Sequence, residues 1–241
     1  MVCLVGLITC GYPTLDRLDV HDGPVADGAP RVDGPVTSQV DASVNQPVDG
    51  SVDALSVDAA IEPLDCTSYC TDIQTNCTGA NAQYPDMGHC TASCALFPVG
   101  NRGDTTGNTL ACRLYHAGVP AMGAPNTHCV HAGPGGDRTN VAAPGTCGDA
   151  CESFCILEVG ACGTLDAPIP GITPQYQNRT ACLSACAGFD RTHLYSIGAS
   201  GNSLACRLYH VTNAAVSGLA ETHCSHTNQV PTGPCSGVAS P

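Results

Sequence analysis

The sequence predicts a mostly α-helical, small disulfide-rich fold, made of two tandem eight-cysteine modules behind a disordered stalk. Three observations predict it. Eighteen of the 241 residues are cysteine, while Trp is absent and Phe numbers only three. Sixteen of those cysteines fall into two sets of eight with matching spacing. Within each set, close pairs are separated by three residues, which puts both sulfurs on one face of a helix.

A chain this poor in aromatics buries little apolar area, so another constraint must offset the entropy of folding. Disulfides supply one, at roughly 2–4 kcal/mol each. The rival use of so many cysteines, thiolate zinc sites, usually brings two residues between paired cysteines, not three. The cysteine content therefore points to an oxidising compartment and an exported protein.

Residues 1–10, MVCLVGLITC, are apolar from Val2 to Thr9 and too short to cross a bilayer, which needs ~20 residues. They match part of a signal-peptide core. Leu7-Ile8-Thr9-Cys10 resembles a bacterial lipobox, in which the cysteine becomes the lipidated first residue; a plain cleaved signal segment is the alternative. The resemblance implies lipidation of Cys10 and a membrane contact made through that anchor.

Residues 11–65 repeat Val-Asp-Gly and Val-Asp-Ala between prolines, with no cysteine and no sustained helical period. Such a segment cannot bury enough to fold alone and reads as a disordered acidic linker. A coil of that length spans at least ~40 Å. It holds eleven acids against two arginines, most of the formal net charge of −13.

The first module, residues 66–147, carries Cys66, Cys70, Cys77, Cys90, Cys94, Cys112, Cys129 and Cys147. The second, residues 151–235, carries Cys151, Cys155, Cys162, Cys182, Cys186, Cys206, Cys224 and Cys235. The two copies share further words. GNTLACRLYH, Gly107 to His116, answers GNSLACRLYH, Gly201 to His210. Thr127-His128-Cys129-Val130-His131 answers Thr222-His223-Cys224-Ser225-His226. The last inter-cysteine stretch is seven residues longer in the first copy.

Two antiparallel helices with cysteines at i and i+4 can be riveted together, which favours Cys66–Cys94 and Cys70–Cys90. A third helix is expected from Asn108 as N-cap through LACRLYH. Cys112 would then close on Cys77, with Cys129–Cys147 and Cys224–Cys235 stapling the Gly/Pro-rich ends. Eight cysteines allow 105 connectivities, so this is one choice among many. In the shared RLY words, Leu and Tyr are expected in the core and Arg beside a local acid. An outward Arg-Tyr recognition patch is the alternative.

The CRLYH and HC-x-H words resemble those of Cys-rich repeat modules in exported lipoproteins of Gram-negative bacteria with large genomes. The resemblance covers residues 66–235 and implies placement at the outer membrane, the periplasm or the cell surface. It implies nothing about chemistry.

The chemical candidates are His116, His128 and His131, with His210, His223 and His226 in the second copy. His116 shares a helix face with Cys112, so it should point inward. His128 and His131 flank Cys129, whose backbone a disulfide would pin. Three imidazoles held this way suit copper or zinc, which neutral rings bind and protonation near pH 6 would release. The competing role is structural, a ring packed beside a cystine and donating to a carbonyl. No acid recurs at matching positions near the trio. His21 falls in the stalk, and His89 and His193 lack counterparts, so they read as surface residues.

All eight basic residues are Arg. Without lysine there is no Schiff base and no Walker-type phosphate loop, and without a cationic cluster there is no nucleic-acid partner. HExxH, G-x-S-x-G and the haem-attachment motif are also missing. The sequence thus supports a lipid-anchored, non-enzymatic binding protein with an unidentified protein or glycan partner. The alternative is a metal-binding or metal-dependent redox protein with one three-histidine site per module.

Overall fold

Every helix that carries a close cysteine pair starts on a side-chain cap, and those caps set the frame. In the computed structural model, which describes residues 63–141 and 144–238, Asp65 accepts the Ser68 amide at 2.8 Å and starts α1, Cys66–Asn76. Asp86 does the same for α2, Met87–Cys94, through the His89 amide at 3.0 Å. In the second copy Asp149 caps α6, Ala150–Cys162, and Asn178 caps α7, Arg179–Cys186. A short polar side chain at this position satisfies an amide the helix cannot, typically for ~1 kcal/mol.

The two hairpins are riveted as the spacing predicts. Cys66–Cys94 and Cys70–Cys90 join α1 to α2, and Cys151–Cys186 and Cys155–Cys182 join α6 to α7. The third helix of each copy begins slightly later than expected. Thr109, not Asn108, caps α3, Leu110–Ala117, and Ser203 caps α8, Leu204–Ala214. Two short helices follow α3, namely α4, Val119–Gly123, and α5, Pro125–Ala132. In the second copy α9, Ala220–His223, is followed by 3-10 turns over Cys224–His226 and Gly233–Cys235. No strand occurs among the described residues.

The remaining disulfides correct the expected pairing. Cys77 bonds Cys129 and Cys112 bonds Cys147, in place of Cys77–Cys112 and Cys129–Cys147. Likewise Cys162 bonds Cys224 and Cys206 bonds Cys235, in place of Cys224–Cys235. The physical reason is the position of α3. It packs between α1 and α5, and its Cys112 Sγ is turned toward the loop at Thr146, 3.7 Å from that carbonyl oxygen. Cys77, at the end of α1, is left facing α5.

The shared arginines supply a second correction. Arg113 and Arg207 are fully buried, each guanidinium lying over a Phe ring, Phe97 at 3.8 Å and Phe189 at 3.9 Å. Arg113 donates to the carbonyls of Gly133 and Thr109, to Asn108 Oδ1 and to Ser153 Oγ. Arg207 donates to Asn228, Ser203 and Gln229 carbonyls and to Asn202 Oδ1. Neutral oxygens, not the local acid expected, meet the charge. Of the neighbouring residues, Leu208 is buried, whereas Tyr115 is 46% exposed and outside the core.

The described residues belong to one compact unit with two apolar cores. One gathers Tyr69, Ile73, Tyr84 and Leu110; the other gathers Phe154, Leu157, Leu204, Leu208 and Val211. Phe97, from the first copy, is built into the second core. Leu96 lies so close to Gly160 on α6 that a Cβ there would stand 2.7 Å from Leu96 Cδ2. Polar bonds also cross between the copies, from Tyr195 Oη to the Gln83 carbonyl and from Thr139 Oγ1 to the His193 carbonyl. No helix among the described residues is long and apolar enough to cross a membrane. Cys10, the segment 1–10 and almost all of the stalk lie outside the described residues.

Candidate metal centre

The six predicted histidines come together as two trios, one per copy. His116 sits one turn after Cys112 on α3 and is buried. His128 and His131 lie on α5 on either side of Cys129, which the bond to Cys77 holds in place. In the second copy His210 lies on α8, His223 ends α9 and His226 lies in the following 3-10 turn. Cys224, bonded to Cys162, again stands between the two latter histidines.

In each trio, one nitrogen from every ring lies within 4.8 Å of the other two. His116 Nδ1 is 2.9 Å from His128 Nδ1. His210 Nδ1 is 2.8 Å from His223 Nδ1 and 3.2 Å from His226 Nδ1. The ring arrangement repeats as well. His116 and His128 stack with centroids 5.1 Å apart, as do His210 and His223. The third ring stands edge-on to both partners in either copy. Tetrahedral zinc with bonds of ~2.0–2.1 Å would hold its nitrogens ~3.3 Å apart, close to these separations.

Some of the ring nitrogens are left without a hydrogen-bond partner. Thr105 carbonyl can only accept, so His116 Nε2, 3.1 Å away, must be the donor. A neutral His116 then presents a bare lone pair at Nδ1, toward the trio. His131 Nδ1 is buried with no hydrogen-bond partner at all. In the second copy a single Nδ1 faces two others, although one proton serves only one such contact well. Converging lone pairs are unfavourable in a buried place, and a cation relieves them.

Burial lowers the pKa of His116, His131, His223 and His226. It lowers His210 furthest, to about 4, with help from His226 and His223. These five rings are therefore neutral ligands at pH 7. His89 is half-buried and not a free surface residue: its Nδ1 is 2.9 Å from Asp86 Oδ1. His193 pairs with Asp190 at 3.4 Å and joins neither trio. His21 is outside the described residues.

One residue escaped sequence reasoning. Asp137, itself buried, places Oδ1 3.7 Å from His131 Nε2. It has no counterpart at the second trio, so a search for acids shared by the copies passes over it. The seven extra residues between Cys129 and Cys147 were the available signal.

The Cys112–Cys147 cystine also borders His116, and Cys206–Cys235 borders His210, with all three ligand atoms within 4.8 Å in each case. Those sulfurs are committed to disulfides and are not thiolate ligands.

Among known families, the model described as the BfoA family C-terminal domain matches residues 34–144. The match takes in part of the stalk and seven cysteines of the first set, including its whole histidine trio. No curated protein and no solved structure matches the chain.

Proposed function

We propose that this is a non-enzymatic metal-binding protein of an oxidising, extracytoplasmic compartment, holding one Cu(II) or Zn(II) ion on each histidine trio. One observation carries the reading: three imidazole nitrogens converge twice, in the same ring arrangement, on residues each pinned by or beside a disulfide. All-nitrogen neutral sites of this kind suit zinc and Cu(II). The modules 66–147 and 151–235 would be the two carriers. The stalk of residues 11–65 and lipidation at Cys10 would tether them to an envelope surface.

Elemental analysis of the protein, purified oxidised and without chelators or added histidine tags, tests this. Two equivalents of copper or zinc per chain are expected, one lost in His116→Ala, one in His210→Ala, and both in the double variant. Thiol titration and near-ultraviolet circular dichroism establish that the variants keep their disulfides and packing. A wild-type protein that takes up neither ion after incubation with Cu(II) or Zn(II) ends the proposal.

That result would favour a second reading, a module that docks a protein or glycan partner. Its support is an exposed apolar run beside the first trio, where Val119 is 80% and Met122 69% exposed next to Tyr115.

A further inference from the structure

The two trios are alike at the imidazoles and different behind them. Behind His131 stands Asp137, fixed by two backbone amides, Arg138 N at 2.7 Å on Oδ1 and Thr146 N at 2.8 Å on Oδ2. Held at both oxygens, the carboxylate cannot swing away from the ring. Behind His226 stands the backbone of Gly233, so close that a Cβ would meet His226 Nε2 at 2.7 Å. Among the described residues, no carboxylate makes an ion pair with His210, His223 or His226. Two other titratable groups lie near the second trio: Tyr209, edge-on to His210 with ring centroids 5.2 Å apart, and His89, whose acid partner Asp86 is largely exposed and screened by water.

We infer that the two sites are unequal by virtue of Asp137: the first retains its ion as a resident, and the second exchanges it. The inference rests on the metal-binding reading above. A divalent ion brings two positive charges into a half-buried pocket. In the first site a buried anion beside a ligand ring offsets that charge. Metal on Nδ1 also makes the ring a stronger donor at Nε2, which tightens the contact with Asp137 and fixes the ring. The second site offers the same three nitrogens without an ion-paired anion. Loss of such an outer partner typically costs 10–100-fold in metal affinity. Asp137 is thus a positioning residue acting through His131, and the pair of copies becomes a store with one firm and one labile place.

Zinc titration of the full, oxidised chain against a chromophoric chelator reads both affinities. Wild type should show two steps separated by about 10–100-fold. His116→Ala should leave only the weak step and His210→Ala only the tight one. Asp137→Asn should weaken the tight step toward the other and leave the weak one unchanged. Asp137→Glu distinguishes charge from shape. It keeps the carboxylate and should restore most of the gap, whereas a purely structural role would make the isosteric Asn the better replacement. Two equal steps, an assignment reversed between the histidine variants, or a gap untouched by Asp137→Asn would overturn the inference and leave metal binding standing. No zinc at either site in a folded wild type would remove both.

Discussion

At Gly233 the backbone has φ +60, a region costly for any residue with a Cβ, and its missing side chain is the space His226 occupies. Gly233→Ala should therefore push the ring off the other two Nδ1 atoms. We expect about a 10–100-fold loss of affinity at the second site alone, read in the same chelator competition. Arg113 is unusual, because a buried guanidinium without a carboxylate is rare. Its four acceptors and the Phe97 face hold it, and removing it leaves several buried oxygens unserved at about 1–3 kcal/mol each. Arg113→Met should lower unfolding free energy by several kcal/mol in denaturant, disulfides intact, a loss large among point mutants. The surroundings of Arg113 were not legible in its own word, which pointed to a local acid as its partner and not to a Phe ring and neutral oxygens. Its ring partner lies sixteen residues back, outside the words shared by the copies. The histidines were legible, because all six stand in those words.

Helices and staples set which parts of the design could be read ahead. Cysteines at i and i+4 on α1, α2, α6 and α7 leave little freedom, and those four bonds agree with what the spacing favours for an antiparallel hairpin. The others depend on where α3 and α8 lie relative to the elements after them. That placement is decided by packing around the arginine and by loops whose sequence fixes no direction. Cys162–Cys224 spans 62 residues and anchors the segment carrying His223 and His226. Chain-entropy arguments put such a closure at about 4 kcal/mol, against about 3 for Cys70–Cys90. Replacing both Cys162 and Cys224 by Ala should therefore cost more than replacing Cys70 and Cys90. It should also abolish only the weak zinc step. Calorimetric melting and the zinc titration on the same samples check both.

For the molecule as a whole, pH acts through opposing groups. Glu158 stands where the first copy has Ile73 and is fully buried. Its oxygens make no hydrogen bond, since the Thr227 hydroxyl is given to the Cys224 carbonyl. Burial pushes the carboxyl up to about 8 from 4.5. The folded protein thus keeps a proton that the unfolded chain releases above pH 4.5. Stability contributed this way is full below 4.5 and is lost as pH rises through 8, with a slope approaching ~1.4 kcal/mol per unit. The depressed histidines act oppositely, adding stability as pH rises from the folded His210 value near 4 to the unfolded 6.5. The two ranges overlap below 6.5, where the several histidines outweigh the one carboxyl, so apo protein should be most stable near pH 6.5 in denaturant titrations across pH 4–9. Glu158→Gln should flatten the fall in stability above that pH.

The bond from Arg113 to Ser153 carries a consequence for descent. Asn108 Oδ1 accepts from both of those side chains, so the charge at the heart of the first copy is completed by a hydroxyl of the second. Phe97, which covers that guanidinium, is in turn part of the second core. Whatever autonomy the ancestral unit had, each descendant now finishes the other's interior. A deletion returning the gene to a single unit would strip a buried cation of a partner and a core of a ring. The duplication has become a ratchet: either half can drift at its surface, but neither can be discarded.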